Sequence, residues 1–228
     1  MGTGRSAPSR PSRERTSGNV AGGRRLSRRR VPLHALVLAA GASRRFEGIK
    51  ALAPIDGKPM LQWAIDALCA ADIDGLTIVL GAHAAEIVSA IIPRGATFVL
   101  QEDWTEGMSA SLRAGVASVS SPEAGVLIAL ADQPDIAETD YGRLITAWRA
   151  APETPAAAAY AHTRGAPCII PASSRSALLS LRGDQGARVL LRTLADVIEV
   201  PMPTATRDID TREDWRSRLS ENNPPGSP

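Results

Sequence analysis

Three short stretches of the chain carry side chains that could hold a polyphosphate and a hard cation. The first is residues 39–50, AAGASRRFEGIK. Gly41 permits a tight turn and a close approach of backbone to ligand, and the loop offers free amides together with Ser43, Arg44, Arg45 and Lys50. Amides and cations converging on one loop suit a row of phosphates. The spacing is neither G-x-x-x-x-G-K-[ST] nor G-x-G-x-x-G, so the two best-known phosphate loops do not describe it. The second stretch is IALADQPDI, in which Asp132 follows an apolar run. A carboxylate there is costly unless it meets a cation or amides, and a magnesium ion bridging phosphates is one solution. The third stretch, RDIDTREDW, sets Asp208 and Asp210 two residues apart, on one side of an extended segment. Thr211 and Asp214 follow as a capping box that opens a last helix. Without a ligand the same residues read as a loop with solvated arginines and, at Asp132, a helix N-cap.

Such residues need strand ends to present them. Apolar, β-branched runs occur at 33–40, 76–80, 97–100, 126–131, 168–170 and 197–200. Helical spacing fills the gaps. Leu61, Ile65 and Leu68 recur at i, i+4, i+7; Leu112, Val116 and Val119 share that span; Leu144 and Trp148 mark a third face. Strands alternating with helices predict an α/β fold of three layers, a mostly parallel sheet covered by helices on both faces. Ligands in such folds lie beyond the carboxyl ends of the strands, where the 39–50 loop and Asp132 fall. No internal repeat is visible, and residues 31–221 are expected to fold as one domain.

The charge is unevenly spread. Of the net +2, the first 30 residues hold +8, nine arginines against Glu14, which leaves −6 for the rest. Rich in Ser, Gly, Pro and Arg, residues 1–30 have almost nothing to bury and are expected to be a disordered basic tail, with 222–228 a second, shorter one. The paired arginines before an apolar run also resemble a twin-arginine export signal. That run ends in a charged loop instead of a cleavage site, and removing residues 31–42 would delete the first strand, so the strand reading is preferred. Cys69 and Cys168 make neither a disulfide framework nor a zinc motif, which fits a reduced, cytoplasmic compartment. No apolar run reaches the roughly 18 residues of a membrane span. His34, His83 and His162 are scattered and read as structural or surface residues.

Seven motifs in order resemble the molybdenum cofactor cytidylyltransferase family, one of the Rossmann-like nucleotidyltransferases. They are LAAGASRR at 38–45 with Lys50, GKPMLQWAI from Gly57, the run from Trp104 to Gly115, LADQP at 130–134, Gly165–Ile170, GDQGAR at 183–188 and DIDTRED at 208–214. The resemblance spans about 33–216 and implies transfer of CMP from CTP to the phosphate of molybdenum cofactor, with release of pyrophosphate. It implies Lys50, Arg45 and Asp132 as catalytic residues. Nucleotide contacts would come from Ala39, Ala40, Gly41, Ser43, Arg45, Lys50, Gly81 and Gln101. Mg²⁺ would sit on Asp132 and Asp208, with Asp210 as the other choice for the second ligand. Ser109, Ser111, Arg113, Arg164 and Gly165 would line the acceptor side. The implied partners are CTP and a molybdopterin-type cofactor, with a molybdenum hydroxylase or its maturation factor downstream, and neither membrane nor nucleic acid. Two departures stand out. Glu47 takes a position where the family usually has glycine, and Gln101 stands where it often has Asn. Guanylyltransferases of the same fold, which tend to read A-G-G where this chain has Ala39-Ala40-Gly41, other phosphate acceptors, and a non-catalytic cofactor carrier are the alternatives.

Overall fold

The computed structural model describes residues 1–2 and 30–222. The tail expectations for 3–29 and 223–228 lie outside the described residues. Residues 31–222 form one compact unit. Its strands are β1 (Leu33–Ala39), β2 (Pro54–Ile55), β3 (Lys58–Pro59), β4 (Gly75–Leu80), β5 (Thr97–Leu100), β6 (Gly125–Leu130), β7 (Ala156–Tyr160), β8 (Thr163–Ile170) and β9 (Ile198–Pro201). Its helices are α1 (Met60–Ala70), α2 (Ala84–Ala90), α3 (Met108–Ser118), α4 (Glu138–Ala150), α5 (Arg175–Leu179), α6 (Ala187–Thr193) and α7 (Arg212–Asn222).

The main sheet runs β5-β4-β1-β6-β8-β7-β9, and β2-β3 form a small separate hairpin. The half β5-β4-β1-β6 is parallel. β8 lies antiparallel to both β6 and β7, and β9 is parallel to β7. β1 shows why the sheet is buried on both faces. Leu33, Ala35 and Val37 pack with Leu61, Ile65 and Leu68 of α1 and with Tyr141, Leu144 and Trp148 of α4. Leu36 and Leu38, on the alternate face, pack with Leu112 and Val116 of α3 and Leu190 and Leu191 of α6. A strand apolar on both sides reads as a continuous run, which is what LHALVLA does. The expected three-layer, mostly parallel α/β architecture is therefore present, with two differences. β7, the sequence AAAAY, carries no β-branched residue and gave no strand signal. β8 begins five residues before the expected Cys168, because Gly165 and Pro167 mask the strand pattern.

The register brings the site together. Ala39 lies beside Leu80, and Leu38 beside Leu130. Ala40, Gly81 and Asp132 therefore emerge at one edge, the carboxyl end of the parallel strands. Among the described residues, no helix is long and apolar enough to cross a membrane.

Candidate active site

A cleft of about 490 Å³ opens at this edge. It is lined by the first loop, residues Ala39 to Arg45, with Lys50, by Trp104, Gly107, Met108, Ser111 and Asp184, and by Asp132 and Asp210. A side chain at Gly41 would meet no protein atom, so its absence leaves room for a ligand instead of relieving a clash. The left-handed turn falls at Ser43, whose φ is 52°, and the Phe46 amide donates to the Ser43 carbonyl at 2.9 Å. The amides of residues 41–45 donate to no backbone carbonyl or side chain among the described residues. The loop therefore leaves amide donors unpaired beside Arg44, Arg45 and Lys50.

Phe46 anchors the loop by burying its ring with Ile55, Met60 and Ile209. Arg212 of α7 lies over that ring at 5.5 Å and donates to the carbonyls of Phe46 at 3.1 Å and Glu47 at 2.9 Å. Glu47 has φ of 56°. That left-handed backbone explains why glycine suits this position better, since a non-glycine residue there costs about 1–2 kcal/mol. Its carboxylate forms no ion pair with Arg44 or Arg45; Arg45 turns instead to Asp210.

Lys50 joins the three stretches picked out from the sequence. Its ammonium donates to Asp132 Oδ2 at 2.7 Å and to Asp210 Oδ1 at 3.1 Å, and Arg45 donates to Asp210 Oδ2 at 3.1 Å. Burial alone would lower the Lys50 pKa, but the two carboxylates, Asp132 foremost, hold it above the ordinary 10.5. Asp132 Oδ1 is buried and has no hydrogen-bond partner among the described residues. A buried carboxylate oxygen left bare beside a second carboxylate is a donor set suited to a hard divalent cation. The segment that delivers Asp210 is tied down by its neighbour: the Ile209 amide donates to the Asp132 carbonyl at 3.0 Å, and the Ile209 side chain is buried. The Thr211–Asp214 capping box is present, with reciprocal bonds of 3.1 and 2.8 Å.

Asp208 takes a different place. Its Oδ1 accepts from Gln133 Nε2 at 2.8 Å, and it does not contact Lys50. Desolvation raises its pKa above the ordinary 3.8; the Gln133 donation opposes this, while the charges of Asp132 and Asp210 add to it. Gly81 is closed in, because a Cβ there would come within 2.7 Å of both the Ala40 carbonyl and Trp104 Cβ. Gln101 lies outside the cleft lining, its amide bonded to the Leu80 carbonyl at 2.7 Å. Of the acceptor-side candidates, Ser111 lines the cleft. Ser109 is wholly buried and accepts from Arg113 at 3.1 Å. Arg113 is taken up by Glu106 at 2.6 Å and the Leu181 carbonyl at 2.9 Å, and Arg164 pairs with Glu199 at 3.6 Å. Gly165 makes room for the hydroxyl of Tyr160. Two cleft residues were given no role at the site from the sequence. His83 borders the cleft with φ of 60°, and Asp184 belongs to the GDQGAR motif, whose carboxylate lies against Gly107. Cys168 is buried, and burial pushes its thiol up to about 12; Cys69 is exposed.

Residues 35–197 match the profile of the MobA-like NTP transferase domain. The chain belongs to that family. As a MobA-like NTP transferase it is a nucleotidyltransferase. It is 35 % identical over 190 residues to the nicotine blue oxidoreductase of Paenarthrobacter nicotinovorans, a match covering 78 % of this chain and 92 % of that one. Among solved structures, Rv0371c from Mycobacterium tuberculosis superposes with a TM-score of 0.73 at 29 % identity, over 84 % of this chain and 99 % of that one. The complex of Rv0371c with manganese gives 0.71 at 28 % identity, over 83 % and 98 %.

Proposed function

We infer that this MobA-like protein transfers CMP from CTP to the phosphate of a molybdopterin-type cofactor and releases pyrophosphate. The observation that carries the reading is the Lys50 ammonium between Asp132 and Asp210, beside a loop whose amides are unpaired. Nucleotidyl transfer asks a protein for in-line positioning and charge neutralisation more than for covalent chemistry. The amides of 41–45 with Arg44, Arg45 and Lys50 receive the β- and γ-phosphates. An acceptor phosphate oxygen then attacks the α-phosphorus as the bond to the β-phosphate oxygen breaks. Asp132 and Asp210 would hold a divalent cation, expected to be Mg²⁺, which when bound offsets the charge of the leaving pyrophosphate. The manganese complex of the mycobacterial relative supports a divalent ion in this fold.

The preference for cytosine rests on Ala39-Ala40-Gly41, where guanylyltransferases tend to read A-G-G. A cytoplasmic site of action and delivery of the product to a molybdenum hydroxylase belong to the same reading. The test is pyrophosphate release with each of the four NTPs, with and without molybdenum cofactor. Release with CTP that depends on the cofactor is expected; release only with GTP would reassign the base, and none with any NTP would overturn the reading.

A further inference from the structure

The first loop holds a conformation that its own bonds do not secure. Ser43 and Glu47 both adopt a left-handed backbone, with φ of 52° and 56°. Such angles strain any residue but glycine and persist only where the surroundings fix them. Within the loop, the Phe46 amide closes onto the Ser43 carbonyl, and no backbone amide among the described residues donates to the carbonyl of Phe46 or Glu47. A single side chain takes up both. Arg212 donates through Nε to the Phe46 carbonyl and through Nη2 to the Glu47 carbonyl, with its guanidinium over the Phe46 ring. A planar fork can serve two neighbouring carbonyls and cover a ring at once, which a lysine ammonium cannot. Ser43, Arg44 and Arg45 line the cleft, whereas Phe46 and Arg212 do not. Arg212 therefore supports the loop from outside the space a ligand would fill.

The helix that carries Arg212 is itself tied down. Trp215 donates its indole N–H to the Pro54 carbonyl at 2.8 Å and meets Phe46 edge-on, with ring centroids 6.3 Å apart. Arg218 donates to Asp135 Oδ1 at 2.7 Å, and the two side chains are only 17 % and 11 % exposed. Asp135 follows Asp132 by three residues, and Asp210 precedes Arg212 by two. One helix thus links the first loop to the segments that bear both carboxylates. α7 lies outside residues 35–197, the span of the family match.

We propose that Arg212 is a positioning residue, which keeps residues 43–48 in the turned conformation whose open amides and arginines receive a polyphosphate. This rests on the nucleotidyl-transfer reading above. Arg212 does not touch the ligand. It acts through the carbonyls of Phe46 and Glu47, and a loop formed for only part of the time loses affinity in proportion to that fraction.

The experiment compares the wild type with Arg212→Ala, Arg212→Lys and, as a control on the exposed side of the same helix, Arg216→Ala. Hydrogen exchange is followed by mass spectrometry, and inorganic tripolyphosphate is titrated by calorimetry. If Arg212→Ala leaves the loop formed about a tenth of the time, exchange across 43–48 should quicken and tripolyphosphate affinity should fall about tenfold. Peptides from β1 and α1 should keep their exchange rates, and in turnover the CTP KM should rise while kcat holds. Arg212→Lys should recover part of the loss, and Arg216→Ala should match the wild type. Unchanged exchange in 43–48, faster exchange spread evenly over the domain, or equal tripolyphosphate affinity in Arg212→Ala would overturn the proposal. A wild type that binds no tripolyphosphate overturns it together with the phosphate role of the loop. A wild type that binds tripolyphosphate, loses that binding in Arg212→Ala, yet releases no pyrophosphate with any NTP keeps the proposal and sinks only the transfer reading.

Discussion

Replacing Lys50 with alanine strikes the contact on which the site turns. Lys50 donates to Asp132 and Asp210, and the side chains of the three are 17 %, 22 % and 41 % exposed. The Asp132 bond is the sheltered one, and a charge-assisted bond of this kind contributes about 1.5–3 kcal/mol. The Asp210 bond is partly solvated and adds about 1 kcal/mol at most. Lys50→Ala should therefore cost about 2–3 kcal/mol of stability, or about 5–10 °C in Tm for a domain of this size. The pH dependence has a definite sign. Because the folded pKa lies above 10.5, the lysine's stabilisation is fully present below that value and is lost as pH rises through the folded pKa. The gap between wild type and variant should accordingly close only in strongly alkaline solution. Catalytically, the lost phosphate contact should lower kcat/KM by about ten- to a hundredfold, and further if the contact tightens in the transition state. Adding Mn²⁺ should restore part of the lost Tm, since a cation can satisfy Asp132 in place of the ammonium. The assay is calorimetry across pH with parallel pyrophosphate-release kinetics. A variant within 1 °C and twofold of wild type, on the order of experimental scatter for a change well under 1 kcal/mol, would refute this description of the site.

Asp210→Asn should weaken Mn²⁺ binding, read by titration calorimetry, more than Asp208→Asn does, because Asp210 shares Lys50 with Asp132 while Asp208 is turned to Gln133; the opposite order would make Asp208 the ligand. Asp132→Asn and Asp210→Asn should combine less than multiplicatively in kcat/KM, as residues serving one ion do, and a fully multiplicative loss would separate them. Gly81→Ala forces the Ala40 carbonyl and Trp104 apart and should cost about 1–3 kcal/mol in a melting experiment, with weaker nucleotide binding; an unchanged Tm would show that the two loops yield freely.

Much of this site was legible in the sequence because it lies at strand ends. Lys50, Asp132 and the paired aspartates each follow an apolar run or precede a capped helix, and those signals are local. The choice between Asp208 and Asp210 was not local. It depends on Ile209 burying its side chain and bonding its amide to Asp132, which directs Asp210 to Lys50 and Asp208 to Gln133. The arginines show the same limit. A sequence displays Arg113 and Arg164 as available cations, but only folding brings Glu106 and Glu199 to them, seven and thirty-five residues away. Glu47 stands out as a departure in the sequence, and the left-handed backbone there shows why glycine is the easier residue. In the fold, the alternation of apolar runs announced the parallel half of the sheet. The antiparallel half escaped notice where alanine fills a fully buried strand, since β7 has room for methyl groups and no β-branched residue to advertise it.

Transfer of label tests nucleotidyl transfer at this cleft most directly. The protein is incubated with molybdenum cofactor, a divalent cation and CTP labelled in either the α- or the γ-phosphate. Attack at the α-phosphorus predicts that α-label appears in the cofactor and γ-label appears only in pyrophosphate, with both signals lost in Asp132→Asn. γ-Label in the cofactor, or no transfer of either label by the wild type, would contradict it.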